Sequence, residues 1–423
     1  MLLQFSFKNF KSFRDDTVLD MTSARVSELP EHLSLIGEEK ILPAAAIYGP
    51  NASGKSNVVE AFRFMCTYVL DSFAYGGANT KGSIQKPRRT PFLFDKNSRN
   101  EASSFEVYFI SGEEDGYKTY NYGFTLDDDG IKEEWLNSKA KTSGSYRRIF
   151  YRVQDETDFS SLPKKIRDNL KVSLEKDTLV VSLGSRLKIS KLKMVADWFS
   201  KIEFADYGDP FENAWRSTTF PESLEKSAEA RQKVVSYFAS FDPSIIGLNV
   251  RKIQSDDNVD HGYDIHTVHR IAGTDEVTTI PLSDESDGTL KMFSLYPLLD
   301  HVTENGGILC VDELNSRLHP LLVRNFLLSF LNPEINTNHA QIIFTTHDTW
   351  QLSNHLLRRD EIWFTEKDNS QVTSLYSLAE FEDESGTKIR KDESYEKNYM
   401  LGKYGAIPEL KPFNMTGGEN AEK

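Results

Sequence analysis

The sequence predicts an α/β protein: a mixed sheet with helices, an antiparallel β lobe and a helical insertion. Three observations predict it. Gly49-Pro50-Asn51-Ala52-Ser53-Gly54-Lys55-Ser56 fits the pattern G-x-x-x-x-G-K-[ST]. An apolar run precedes it at 44–48, and apolar residues at a helical period follow it: Val58, Val59, Phe62, Met65, Cys66 and Val69. The apolar runs 308–311 and 340–346, ending at Asp312-Glu313 and His347, read as two more short buried strands. Finally, 92–134 alternates in strand fashion, whereas 161–241 turns to helical spacing, with helices expected over 163–175, 186–204 and 222–240.

Each element carries a chemical expectation. A strand that turns into a helix through glycines leaves successive backbone N–H groups pointing into one concavity, at the positive end of the helix dipole. Gly49 and Gly54 allow the turn, Lys55 is expected to reach the β- and γ-phosphates, and Ser56 to ligate magnesium. Asn51, Ser53 and Asn57 complete the candidate nucleotide-binding set. The acid at a strand tip in such proteins holds the metal, which assigns Asp312, and the adjacent Glu313 is placed to orient the attacking water. His347 sits at the carboxyl end of its strand, where ligands lie in open α/β sheets, and is expected to hydrogen-bond the γ-phosphate. ATP and Mg2+ are the implied substrate and cofactor.

A second anion site is expected at Ser286 and Gly288, just before the apolar-periodic stretch 290–299, from their N–H groups and the serine hydroxyl. After the acid pair, the segment 314–319 leads to a helix whose first turn suits Pro320.

With these segments in this order, the chain resembles the stand-alone ABC-type ATPases of prokaryotic defence systems. Those are relatives of the heads of SMC and double-strand-break-repair ATPases and of the OLD nucleases. The resemblance implies a P-loop ABC-type ATPase head with a helical insertion. Phe5-Ser6-Phe7-Lys8-Asn9-Phe10-Lys11-Ser12-Phe13 looks like the first strand of such heads, with Leu3, Phe5 and Phe7 alternating with polar residues. The stretch 399–408 looks like the tail of the subgroup encoded beside an RloB-type effector, a Toprim-like nuclease candidate. It further implies that Ser286 and Gly288 contact the γ-phosphate held by a second subunit. Two ATP molecules would then be buried in a homodimer or higher even oligomer, with 314–319 at the seam. Glu285-Ser286-Asp287-Gly288-Thr289 departs from the Leu-Ser-Gly-Gly-Gln of transporters, which counts against a transporter subunit. Gln85 lies in a polar loop and reads as a surface residue rather than a magnesium-binding Q-loop.

Composition bounds the rest. With 50 basic and 64 acidic residues in 423, the net charge is −14, which argues against broad nucleic-acid coating. A DNA clamp or tether is the alternative reading, with basic clusters at 86–89, 139–152 and 186–193 available to phosphates, although each reads better as a solvated face. Cys66 and Cys310 lie in apolar runs and read as core residues of a cytoplasmic protein. No run approaches a membrane span, so no membrane partner is expected. No sustained heptad supports long coiled-coil arms. Glu366 lacks the Asp-x-Asp pair that would make a nuclease of the short stretch after His347. The expected organisation is an N-terminal part of the head over 1–160, a helical insertion over 161–243, the C-terminal part over 244–413, and a flexible tail over 414–423.

Overall fold

The strand leading into the phosphate loop, Ala44–Tyr48, is buried along its whole length because it lies inside a six-stranded sheet. The order across that sheet is Ile202–Asp206, Ile308–Asp312, Gln341–Thr345, Ala44–Tyr48, Ile362–Lys367 and Thr373–Ser377. The first five strands run parallel and the last pairs antiparallel as a hairpin. Side chains on a strand alternate between faces. Ala45, Ile47, Cys310 and Ile343 accordingly enter one apolar core, and Ala44, Ala46, Val311 and Phe344 the other. Both faces are covered, which is why these strands read as unbroken apolar runs.

The computed structural model describes residues 1–75, 85–113, 116–140, 144–154, 156–207, 222–253, 263–382, 386 and 388–408. Over the first core lies a seven-stranded antiparallel sheet. Its order is Glu156–Asp158, Arg147–Val153, Gly130–Ala140, Gly116–Asp127, Ser103–Glu113, Leu2–Lys8 and Thr17–Asp20. Phe5, Phe7, Phe105 and Phe124 are buried on its inner face against the helix Lys55–Asp71, where Phe5 and Phe62 rings lie 4.7 Å apart. The helices Asp287–Asn305 and Pro320–Leu331 cover the opposite face of the parallel sheet. A smaller core joins the helix Ala228–Ala239 to a three-stranded sheet, Ile245–Lys252, Tyr263–Arg270 and Val277–Pro281.

The α/β class, the mixed sheet and the antiparallel lobe are those the sequence predicts. The region 161–243 departs from a purely helical insertion. Among the described residues its helices are Lys164–Ser173, Val180–Arg186, Ser190–Phe199, Glu222–Lys226 and Ala228–Ala239. The single helix expected over 186–204 is broken at Lys188, which has φ 56°, and its end is the strand Ile202–Asp206 at the edge of the parallel sheet. Helical spacing could not reveal this, since Ile202, Phe204 and Ala205 suit either period and pairing with Ile308–Asp312 decides. The tail expected over 414–423 lies outside the described residues. Within the basic clusters, Arg89 and Arg152 are buried. Arg89 bonds Asp128 and the Glu101 and Arg99 carbonyls, and Arg152 the Thr178 and Glu175 carbonyls. Cys66 and Cys310 are buried free thiols. Among the described residues no helix is long and apolar enough to cross a membrane.

One buried amide fastens the two large sheets together. Gln341 Oε1 accepts from Leu2 N at 2.6 Å, and Nε2 donates to the carbonyls of Leu2 at 3.1 Å and Leu42 at 3.0 Å. Gln341→Leu strands those buried backbone groups, at about 1–3 kcal/mol for each one left unsatisfied. The expected loss is ~2–4 kcal/mol of unfolding free energy by denaturant titration, with circular dichroism of the native state unchanged.

Candidate functional site

The phosphate loop is shaped by conformations only glycine adopts easily. Gly49 has φ 152° and Gly54 φ 107°. A Cβ on Gly49 would stand 2.5 Å from the Thr365 carbonyl oxygen, and one on Gly54 2.8 Å from both the Ser12 and Thr373 hydroxyls. A net of hydroxyls packs beneath the loop. Thr373 Oγ1 lies 2.8 Å from the Ser12 hydroxyl and 2.8 Å from the Ser53 carbonyl. Asn57 Nδ2 donates to Ser12 Oγ at 2.7 Å, and the Ser53 and Thr365 hydroxyls are 2.6 Å apart. Asn51 is exposed at the loop's crown. The Lys55 ammonium curls back onto the carbonyls of Gly49 at 3.0 Å and Pro50 at 3.1 Å. Burial lowers its pKa, opposed by the carboxylates of Glu313 and Asp312.

The acid pair is held from the neighbouring strand. Thr345, fully buried, donates its hydroxyl proton to Asp312 Oδ1 and accepts from Glu313 N at 2.9 Å. Glu313 has φ 54°, so the chain turns sharply as it leaves the strand. Its carboxylate meets His347 Nε2 at 3.1 Å. That hydrogen bond, with the charges of Lys55 and Lys291, holds the Glu313 pKa below the usual carboxylate range despite partial burial. Asn315 Oδ1 accepts from the Thr346 hydroxyl at 2.8 Å and from His347 N at 3.2 Å, tying the turn after the acids to the histidine strand. Ser56 and Asp312 line one cavity of about 310 Å³, together with Lys11, Glu60 and Asp206. Lys11 pairs with Glu60 there, while Asp206 is the register partner of Asp312.

Ser286 caps the helix Asp287–Asn305, its hydroxyl accepting from Thr289 N at 3.1 Å. A Cβ on Gly288 would come within 3.4 Å of the Arg317 carbonyl, so the helix start lies against the segment that follows the acid pair. Arg317 and Asp287 form an ion pair at 3.0 Å. Glu285 is fastened to the three-stranded sheet through His269 Nε2 at 2.8 Å and the Thr267 hydroxyl.

The structure therefore gathers Gly49, Ser53, Gly54, Lys55, Ser56, Asn57, Asp312, Glu313 and His347 at the carboxyl edge of the parallel sheet. Ser286 and Gly288 have their contacts with Thr289 and Arg317 instead. Sequence reasoning missed Ser12, Thr365, Thr373 and the role of Thr345, because hydroxyls distant along the chain carry no motif. Gln85 is exposed, as expected. The donor set fits a nucleoside triphosphate with magnesium: a glycine cradle with no room for side chains, a buried ammonium, and a hydroxyl and carboxylate on one cavity.

The fold and this edge define an α/β protein that carries a phosphate-loop motif at the carboxyl edge of its parallel sheet. Residues 44–349 match the family described as "AAA domain, putative AbiEii toxin, Type IV TA system", and the chain belongs to that family. Among solved structures it is similar to an SmcHead bound to the C-winged helix domain of ScpA, at 15% identity and TM-score 0.43, covering 89% of this chain and 97% of that one. A second is the Smc head domain with an extended coiled coil bound to the C-terminal domain of ScpA derived from Pyrococcus furiosus. The match has 14% identity and TM-score 0.42, and covers 95% of this chain and 98% of that one.

Gly54→Ala should lower nucleotide affinity at least about tenfold, because strained backbone of this kind costs ~1–3 kcal/mol and the hydroxyl net must part. Equilibrium binding of a fluorescent ATP analogue measures this. Unchanged affinity would mean the loop does not take phosphate in this conformation.

Proposed function

We propose that this protein binds and hydrolyses ATP, dimerises around it, and regulates a separately encoded effector in anti-phage defence. The carrying observation is that Lys55, Ser56, Asp312, Glu313 and His347 converge on one sheet edge. Backbone N–H groups of 49–56 and the Lys55 ammonium would take the β- and γ-phosphates, the ammonium exchanging its two loop carbonyls for phosphate oxygens. Ser56 and Asp312 would hold Mg2+, which when bound offsets phosphate charge and fixes the oxygens for in-line attack. Glu313 orients the water, with His347 as the partner that positions its carboxylate before the γ-phosphate arrives. Ser286 and Gly288 point their anion site at a second copy, and the segment 314–319 lies at that seam.

The effector reading rests on the resemblance of motifs and tail, and the toxin–antitoxin wording of the matched family supports a defence setting. It stands ahead of a DNA clamp because, of the basic clusters, Lys86 is paired with Asp177, and Arg89 and Arg152 are buried against internal acceptors. A clamp would instead show DNA affinity falling steeply with salt.

Lys55→Ala should abolish ATP binding. Glu313→Gln should still bind ATP while hydrolysis falls ~10²-fold or more, and the variant should accumulate as a dimer by light scattering with ATP. A monomeric Glu313→Gln protein at saturating ATP would refute the shared-site arrangement. Co-purification with the product of the adjacent gene, altered by ATP, tests the effector.

A further inference from the structure

Lys291 is 4% exposed, a long cation buried one turn into the helix that Ser286 caps. Its ammonium donates to the carbonyls of Leu314 at 2.7 Å, Ser316 at 2.7 Å and Glu313 at 3.4 Å, and sits 4.1 Å from the centre of the Tyr207 ring. Tyr207 is itself fixed at the acid strand, its N–H donating to the Asp312 carbonyl at 3.1 Å. One charge thus joins the Ser286 helix, the edge strand and the turn that carries Glu313.

That turn needs an external hold. Glu313 and Arg317 both have left-handed backbone, with φ 54° and 59°, and the carbonyls of Glu313, Leu314 and Ser316 face inward rather than into a helix or sheet ladder. Burying an ammonium is costly where an apolar side chain of similar length would pack without penalty. Burial indeed drives the Lys291 pKa down to about 7, with Glu313 opposing and Arg317 adding to the fall. A costly group in three-way contact with the catalytic turn points to positioning rather than stability.

We propose that Lys291 is a positioning residue for hydrolysis: seated on Tyr207, it clamps the turn after Asp312-Glu313 and ties the aim of Glu313 to the helix that begins at Ser286. This rests on the ATP-hydrolysis reading. When Ser286 and Gly288 engage a phosphate, movement of their helix is carried by Lys291, five residues past the cap, to the Glu313 turn.

The test compares the full chain with Lys291→Met, Lys291→Arg and Tyr207→Leu, measuring steady-state MgATP hydrolysis, binding of a fluorescent ATP analogue, and thermal unfolding. Wild-type turnover that Glu313→Gln removes establishes the underlying reaction; if wild type does not hydrolyse ATP, that reading falls and this proposal with it. Given turnover, Lys291→Met should lose ~10²-fold in kcat, the scale of a misplaced catalytic group, with KM and analogue affinity nearly unchanged. Lys291→Arg, keeping a donor for the carbonyls, should recover a measurable part of kcat. Tyr207→Leu leaves the ammonium but removes its seat, and should lower kcat about tenfold without altering KM. It decides the question if Lys291→Met does not fold. A Lys291→Met or Tyr207→Leu protein that folds and keeps wild-type kcat overturns the proposal, as does an equal loss in analogue affinity.

Discussion

The phosphate loop has its shape because three parts of the chain meet beneath it without room for one more carbon. Ser12 comes from the N-terminal lobe, Thr365 and Thr373 from the terminal hairpin of the parallel sheet, and Ser53, Gly54 and Asn57 from the loop itself. Each hydroxyl satisfies a neighbour's polar group in a space closed to water, so none is dispensable without stranding a partner. The consequence extends outward. The antiparallel sheet cannot shift against the parallel one without pulling on Ser12, and Gln341 repeats the fastening at the other end of the interface.

Electrostatics follow from that packing. Asp312, Glu313 and His347 stand at strand ends and Lys55 at the first turn of a helix, where side chains leave the apolar interior and charges are partly desolvated. In that setting burial lowers the Lys55 pKa against the pull of two carboxylates, while the hydrogen bond from His347 holds the Glu313 pKa down. Such opposed pressures are common where groups must exchange partners when a ligand arrives. Lys55 presently satisfies two carbonyls of its own loop, and Glu313 satisfies a histidine. In the proposed reaction these partners would be exchanged, for phosphate by Lys55 and for water by Glu313.

The proposed second anion site is wired differently. Ser286 and Gly288 begin a helix pressed against the segment after Glu313, and Glu285 anchors that helix start to a separate small sheet. The acid turn is therefore in contact with two bodies, the strand bearing Thr345 and the helix bearing Lys291.

Local sequence by itself determined the elements whose signal is short-range. The glycines at 49 and 54 demand a turn, the apolar runs at 44–48, 308–311 and 340–346 demand buried strands, and helical periodicity placed the helix after Lys55. Their order along the chain named the candidate site. Tertiary structure alone decided that Ile202–Asp206 is an edge strand rather than the end of a helix, because its apolar residues suit either period until a partner strand is present. It alone recruited Ser12, Thr345, Thr365 and Thr373, since a hydroxyl has no pattern until folding brings its acceptor within 3 Å. It also turned Arg89 and Arg152 from apparent surface cations into buried donors, and buried Lys291 against three carbonyls, because carbonyls left outside regular ladders must be satisfied by whatever charge the fold brings near.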